Sequence, residues 1–285
     1  MSVNPLLTMF ISIVVEAARV TLLVLVMMVV VDLVNVRTKG KLDELLRTGG
    51  QWKQYIVSSL LGSAPGCIGS FAGVSLYIHG MIGIGALTGL MFATAGDEQF
   101  VMLALFPRTA LILFAALFVL GIIVGYVSDF LVKRLKIKTC TDCVYDQYHP
   151  GHEGYRHYLR EHVWKHIIKG HLLRVFLWTF GALMVVNWGM SLIDLQRVTE
   201  QYPFFLLLSA AVIGLIPESG PHLIFVMLFS NGMIPFSVLL TSSIVQDGHG
   251  MLPMLSYSIK DSVLIKVFNF FYGIGIGSLV FAAGY

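Results

Sequence analysis

Charge is scarce in this sequence. Only 12% of its 285 residues are Asp, Glu, Lys or Arg, about half the share of an ordinary soluble domain. With 56% hydrophobic residues, a soluble enzyme is excluded and most of the chain is expected in lipid. The net charge is only +3, and the Lys and Arg residues fall in two loops, so a nucleic-acid-binding patch is excluded. Cysteine is limited to Cys67, Cys140 and Cys143, an odd count that argues against a disulfide framework. The N-terminus lacks a basic n-region and a small-residue cleavage site, so it reads as a first membrane helix. No Gly-x4-Gly-Lys-[Ser/Thr] loop occurs, which removes ATP as the direct energy source. No His-Glu-x2-His occurs either, and His157, Glu161 and His162 have the wrong spacing for an intramembrane zinc hydrolase.

What is present is apolar sequence broken at particular places. Leu6 to Val36 is one long apolar run, enough to span with tilt. A basic stretch follows, with Arg37, Lys39, Lys41, Arg47 and Lys53. Apolar sequence resumes from Tyr55 to Leu131, and again from His171 to Tyr285, around a polar segment. The division is a membrane repeat at 1–132, a Cys/His-rich linker at 133–170 and a second membrane repeat at 171–285. The two halves align without gaps at an offset of 152 residues. Gly62 falls on Gly214, Pro65 on Pro217, Gly80-Met81-Ile82 on Gly232-Met233-Ile234, and Gly96 on Gly248. Phe118, Gly121, Ile122 and Gly125 fall on Phe270, Gly273, Ile274 and Gly277. Such internal duplication is a mark of secondary transporters.

The basic loop after the first helix and the basic linker are expected in the cytoplasm. The loop equivalent to the first, Asp194 to Tyr202, carries only Arg197, and is expected outside. The repeats therefore face opposite ways. The expected fold is an all-α membrane protein of two inverted repeats with re-entrant or broken helices. Tyr55 to Ile78 is expected as a hairpin with its tip at Ser63 to Cys67. Gly80 to Thr94 and Phe100 to Val132 are expected as crossings. The second half is expected to carry the matching tip at Leu215 to Pro221. Pro and Gly end helices, and non-helical backbone at membrane depth is tolerated only where it is buried or lines a cavity.

Five constellations could carry chemistry. Gly96-Asp97-Glu98 and Gln246-Asp247-Gly248-His249 put ionisable groups between apolar runs, where such groups usually line a path or site. Carboxylate oxygen and imidazole suit Mn²⁺ or a similar divalent; the plainer reading is a polar turn that caps the next helix. The tips offer Cys67 on one side, and Glu218, Ser219 and His222 on the other, with dipole ends and free carbonyls for ions; plain interfacial turns are the alternative. Glu16 lies at mid-depth of the first helix, either paired with Arg19 three residues on or relaying a proton. In the linker, Cys140, Cys143, His149 and His152 have metal-ligand spacing. The later linker, with Trp164, Lys165 and Lys169, also reads as an amphipathic interfacial helix. Gly121-x3-Gly125 and Gly273-x-Gly275-x-Gly277 favour close helix packing, within one chain in preference to a homodimer face.

APGCIGSFAGVSLYIHGMI, FATAGDEQFVMLALFP, HVWKHIIKGHLLRVFLWTFGAL and IPESGPHLIFVMLFSNGMIP together resemble the family of ten-transmembrane heavy-metal exporters, members of which are labelled manganese transporters. The resemblance covers nearly the whole chain and is most specific at Gly96 to Phe100 and Pro65 to Cys67. The second half departs from it, with Pro217-Glu218-Ser219-Gly220-Pro221 for a Pro-Gly-Cys-Gly-Pro-like tip and Gln246-Asp247-Gly248-His249 for an Asn-Asp-Gly-Asp-like turn. The resemblance implies a secondary-active exporter of a divalent metal in the bacterial inner membrane, with no cofactor and no catalytic residues. Manganese is the expected substrate, ahead of zinc, cadmium or cobalt. Asp97, Glu98, Asp247, His249, Glu218, His222 and Cys67 are the expected metal ligands, and Glu16 the coupling residue. The other expectation is an anionic or organic solute drawn to helix N-termini, with the carboxylates serving proton or ion coupling.

Overall fold

The computed structural model describes residues 9–19, 50–96, 98–139, 203–217 and 220–285, with single positions between 21 and 29 and between 173 and 184. All regular structure among the described residues is helical. Residues 9–19 are helical. The first half then holds α1 (Gln51–Ser63), α2 (Ile68–Ile78), α3 (Ile84–Ala93), α4 (Glu98–Leu105) and α5 (Pro107–Arg134). The second holds α6 (Pro203–Gly214), α7 (Gly220–Ser230), α8 (Phe236–Val245), a 3₁₀ turn at Gly248–Gly250, α9 (Met251–Tyr257) and α10 (Ile259–Ala282). Shifting the first residues of α1, α2, α3 and α5 by 152 positions lands on the first residues of α6, α7, α8 and α10. The shared residues thus specify the same breaks twice.

The reason is visible at the glycines. At the end of α2, Gly80 takes a φ of 67°, and at the end of α7 its counterpart Gly232 takes 70°. Glycine adopts this left-handed conformation without a Cβ penalty. Met81 N–H then donates to Leu76 O at 2.9 Å and Gly80 N–H to Tyr77 O at 2.9 Å. The counterparts, Met233 to Leu228 and Gly232 to Phe229, are also 2.9 Å each. Both turns are Schellman caps, which satisfy the last helical carbonyls.

Packing repeats as well. A Cβ on Gly89 would lie 2.4 Å from Gly121 O, and one on Gly125 would lie 3.1 Å from Gly85 O, so α3 and α5 meet backbone to backbone. At the equivalent crossing of α8 and α10, Thr241 replaces Gly89; its hydroxyl donates to Ser237 O of its own helix at 2.8 Å and stands 3.4 Å from Gly273 O. Gly62 and Gly214, at the ends of α1 and α6, sit against Ala93 and Val245, themselves equivalent. Polar ties complete the frame. Tyr55 donates to Asp129 at 2.6 Å, whose other oxygen accepts from Gly85 N–H at 2.9 Å. Tyr77 donates to Asp261 at 2.7 Å, joining α2 to α10. Two apolar clusters run across the halves: Leu87, Leu90 and Met91 pack with Met254 and Ile265, and Phe92 and Leu117 with Leu239 and Val245.

Both expected tips coincide with helix breaks, at 64–67 and, among the described residues, at 215–217. Gly62 and Gly73 both lie against Leu90, so α1 and α2 are not one continuous rod. Two expected crossings need correction. Gly80 to Thr94 yields only a ten-residue helix, about half of a membrane-spanning length. Phe100 to Val132 is interrupted at Phe106 (φ −144°, ψ 67°), and α5 restarts with Pro107 in its first turn. The reason is local: Pro107 has no N–H to give the preceding turn and disfavours helical backbone at Phe106. The described helices long and apolar enough to cross a membrane are α5 and α10.

Candidate functional site

Two short turns, one from each half, meet. The first follows α3: Thr94 is extended, Gly96 has a φ of 58°, and α4 begins at Glu98. The second follows α8: Gln246 is extended, Gly248 has a φ of 53°, and the 3₁₀ turn follows. Each helix is released by an extended residue and a left-handed glycine, and the next begins at once. The two glycines are counterparts in the repeat, and they touch: a Cβ on Gly248 would lie 3.4 Å from Gly96 Cα.

Glu98 and Asp247 are each 1% exposed. Glu98 Oε2 accepts from Gln246 Nε2 at 3.3 Å, which links the two turns. Asp247 Oδ1 accepts from Asn269 Nδ2 at 2.9 Å, and its Oδ2 pairs with Lys266 Nζ at 2.6 Å. Lys266 also donates to Gly214 O at 3.1 Å and Val245 O at 3.5 Å. Its three N–H donors thus meet a carboxylate and the terminal carbonyls of α6 and α8, the negative ends of two helix dipoles. Cys67, just before α2, brings its Sγ to 3.9 Å from His249 Nδ1. Ser70 and Thr94 share a hydrogen bond of 3.0 Å.

The site also holds amides with unused capacity. Gln99 is fully buried, and neither atom of its carboxamide meets a partner among the described residues. The same holds for Gln246 Oε1 and Asn269 Oδ1. Buried polar atoms are normally partnered, so these amide oxygens are available to a guest. Beside the site, a cavity of about 360 Å³ lies between Leu215, Pro217, Met251, Leu255, Phe270 and Lys266. Its walls are apolar except at Ser262 and Lys266. The lysine side chain is 13% exposed while Asp247 behind it is fully covered.

Of the residues expected to hold metal, the structure gathers Glu98, Asp247, His249 and Cys67 around the paired turns. His222 is buried, with Nε2 3.1 Å from Ile216 O of its own tip. Glu16 is paired with Arg19 at 3.6 Å on a half-exposed helix face. Asp97, Glu218, Cys140, Cys143, His149 and His152 lie outside the described residues. Among the described residues no three His, Cys, Asp or Glu side chains converge in a metal-binding group. The acidic groups are met instead by amides and a lysine.

A family model described as "Putative, 10TM heavy-metal exporter" matches residues 7–185 and 174–283 of the chain. The chain belongs to this heavy-metal exporter family. The family is a transporter class, and the chain is accordingly an integral membrane protein. Among curated proteins and among solved structures, nothing matches.

In this exporter-family chain, sequence reasoning missed Lys266, Asn269 and Gln99. The repeat hides the first two, because their counterparts are Phe114 and Leu117. A signal was nevertheless present: Ser262, Lys266, Asn269, Gly273 and Gly277 recur every three or four residues along α10, one polar and small face on an apolar helix.

Proposed function

We propose that this exporter-family protein is a secondary-active transporter that exports a divalent cation, manganese first among candidates. The transport site is the contact between the Gly96 and Gly248 turns. The observation that carries this reading is the burial of two carboxylates, Glu98 and Asp247, among carboxamides at the place where the two halves meet. Buried ionisable groups in a membrane protein are expensive and mark ion pathways. Carboxylate and amide oxygens are hard ligands, which suit Mn²⁺ better than Cu⁺. His249 and Cys67 add softer donors that a first-row metal accepts.

The halves act as inverted repeats about a two-fold axis through the Gly96–Gly248 contact. A residue that touches its own counterpart is what such an axis produces. The reciprocal contacts agree, since α2 meets α9 and α4 meets α7, as isologous interfaces require. The opposite placement of basic loops supplies the inversion. The chain enters at both tips as broken hairpins, so one half rocks against the other around a fixed site, with the linker in the cytoplasm. An ion gradient drives the cycle.

A second reading rests on the cavity, where the ammonium of Lys266 stands at the edge of an apolar chamber. That arrangement suits an anionic organic solute. Melting temperatures of purified, chelator-stripped protein separate the two. Under the metal reading Mn²⁺ raises the melting temperature by mass action, and Glu98→Gln with Asp247→Asn abolishes the shift. A shift with phosphate, arsenite or citrate alone selects the anion.

A further inference from the structure

Lys266 occupies an unusual position. Lysine is rarely buried without a partner, and here it forms an ion pair of 2.6 Å with a fully covered carboxylate. It also meets two backbone carbonyls, Gly214 O and Val245 O. Those carbonyls end α6 and α8, the helices that lead into the second tip and the second turn. The side chain is flexible, it lines the cavity, and Asp247 lies behind it. Any cation that comes through this cavity meets Lys266 before Asp247.

The surroundings of Asp247 are those of a cation site already filled. One oxygen is held by Asn269, and the other by the ammonium. The Asn269 oxygen and the Gln246 oxygen nearby have no partner among the described residues. If Lys266 moved away, a carboxylate and amide oxygens would face one space, the donor chemistry of a hard divalent cation. The first half carries no lysine at the matching position. Phe114 stands at the equivalent position, and Gly62 and Ala93 there are the counterparts of the carbonyl donors Gly214 and Val245.

We infer that Lys266 is a tethered competitor for the transported cation: its ammonium holds Asp247 while the site is empty, and the arriving metal displaces it. The inference rests on the metal-transport reading and adds the element that empties and refills the site. With the metal bound, the ammonium keeps the carbonyls of Gly214 and Val245 or swings into the cavity. Its return to Asp247 helps to expel the metal. Charge at Asp247 is thereby compensated in both states, so the carboxylate is never left alone in a medium where that is costly.

The test combines two measurements on the full-length protein. First, Mn²⁺ affinity is read from melting-temperature titrations of wild type, Lys266→Gln and Lys266→Arg. Loss of the competitor should tighten Mn²⁺ binding at least tenfold in Lys266→Gln, while Lys266→Arg stays near wild type. In vesicles, Lys266→Gln should bind manganese but export it several-fold more slowly. Second, wild-type protein is treated with a small amine-reactive reagent, and labelling of Lys266 is followed by peptide mass spectrometry. Mn²⁺ should raise that labelling rate several-fold. An unchanged or lower rate, together with unchanged Mn²⁺ affinity in Lys266→Gln, makes Lys266 a fixed helix tie and overturns the inference. If Lys266→Gln does not fold, the labelling result decides alone. Absence of any metal-induced shift in both wild type and Lys266→Gln instead removes the metal-transport reading itself.

Discussion

At the scale of residues, Asp247 and Lys266 show how unequal the two ways of breaking an ion pair are. Asp247→Asn takes the carboxylate from a largely buried ammonium and leaves it only backbone carbonyls, a change that costs about 3–5 kcal/mol in buried pairs. The double change Asp247→Asn with Lys266→Met removes both charges and should restore most of that loss. Thermal unfolding of the two single variants and the double variant, analysed as a cycle, checks this; equal losses in all three would contradict it. Neither partner announced itself to the other in the sequence. They are 19 positions apart, one in the turn after α8 and the other on α10, and the comparison between halves gave no help because Lys266 has an aromatic counterpart. Glu98, Asp247 and His249 were legible because ionisable groups beside glycine in apolar sequence have few ordinary explanations. His222 was legible by the same logic but is committed to a backbone carbonyl of its own tip.

At the scale of elements, the glycines divide into those that meet a neighbour and those that do not. Gly89 belongs to the first kind, because its Cβ position falls on the backbone oxygen of Gly121. Gly89→Ala must push α3 from α5, and the melting temperature should fall by several degrees. Gly275 belongs to the second kind, with nothing within 4 Å of its Cβ position. Gly275→Ala should be neutral or stabilising by up to about 1 kcal/mol, the difference in helix propensity. A loss at Gly275 matching that at Gly89 would mean an unrecognised partner on that face. Sequence spacing alone grouped Gly273, Gly275 and Gly277 as one packing motif. The structure separates them: Gly273 and Gly277 face Thr241 and Val245, while Gly275 is on the other side of the helix. Helix bounds were read well where Gly or Pro ends a helix and poorly at Phe106, where a single residue leaves the helical path between two apolar segments.

At the scale of the whole molecule, the prediction is contact between halves. Cys67 and His249 are 182 positions apart, with side-chain atoms 3.9 Å from each other. In a His249→Cys variant, mild oxidation should join the two positions, and mass spectrometry of the digested protein should find the Cys67-to-249 crosslink. Its absence, with intact thiols at both positions, would mean that the halves do not meet there. The repeat itself was legible from an ungapped offset, and the structure reproduces that offset in the starts of four helix pairs. What the offset could not convey was which turn faces which, because contact across the halves depends on three-dimensional closure and not on spacing along the chain.

The constancy of that offset has a consequence for the shortest connections. From Gly80 to Ile84, and from Gly232 to Phe236, the chain spends the same few residues joining a Schellman cap to the next helix. These connections act as fixed-length spacers, not as slack. One residue inserted after Gly83 would turn α3 by about 100° relative to its cap. That rotation would carry Gly85 and Gly89 off the face that meets α5 and put branched side chains in their place. Length in these connections is therefore as strictly set as side-chain identity in the helices, and deletions or insertions there should abolish folding where most substitutions would be tolerated.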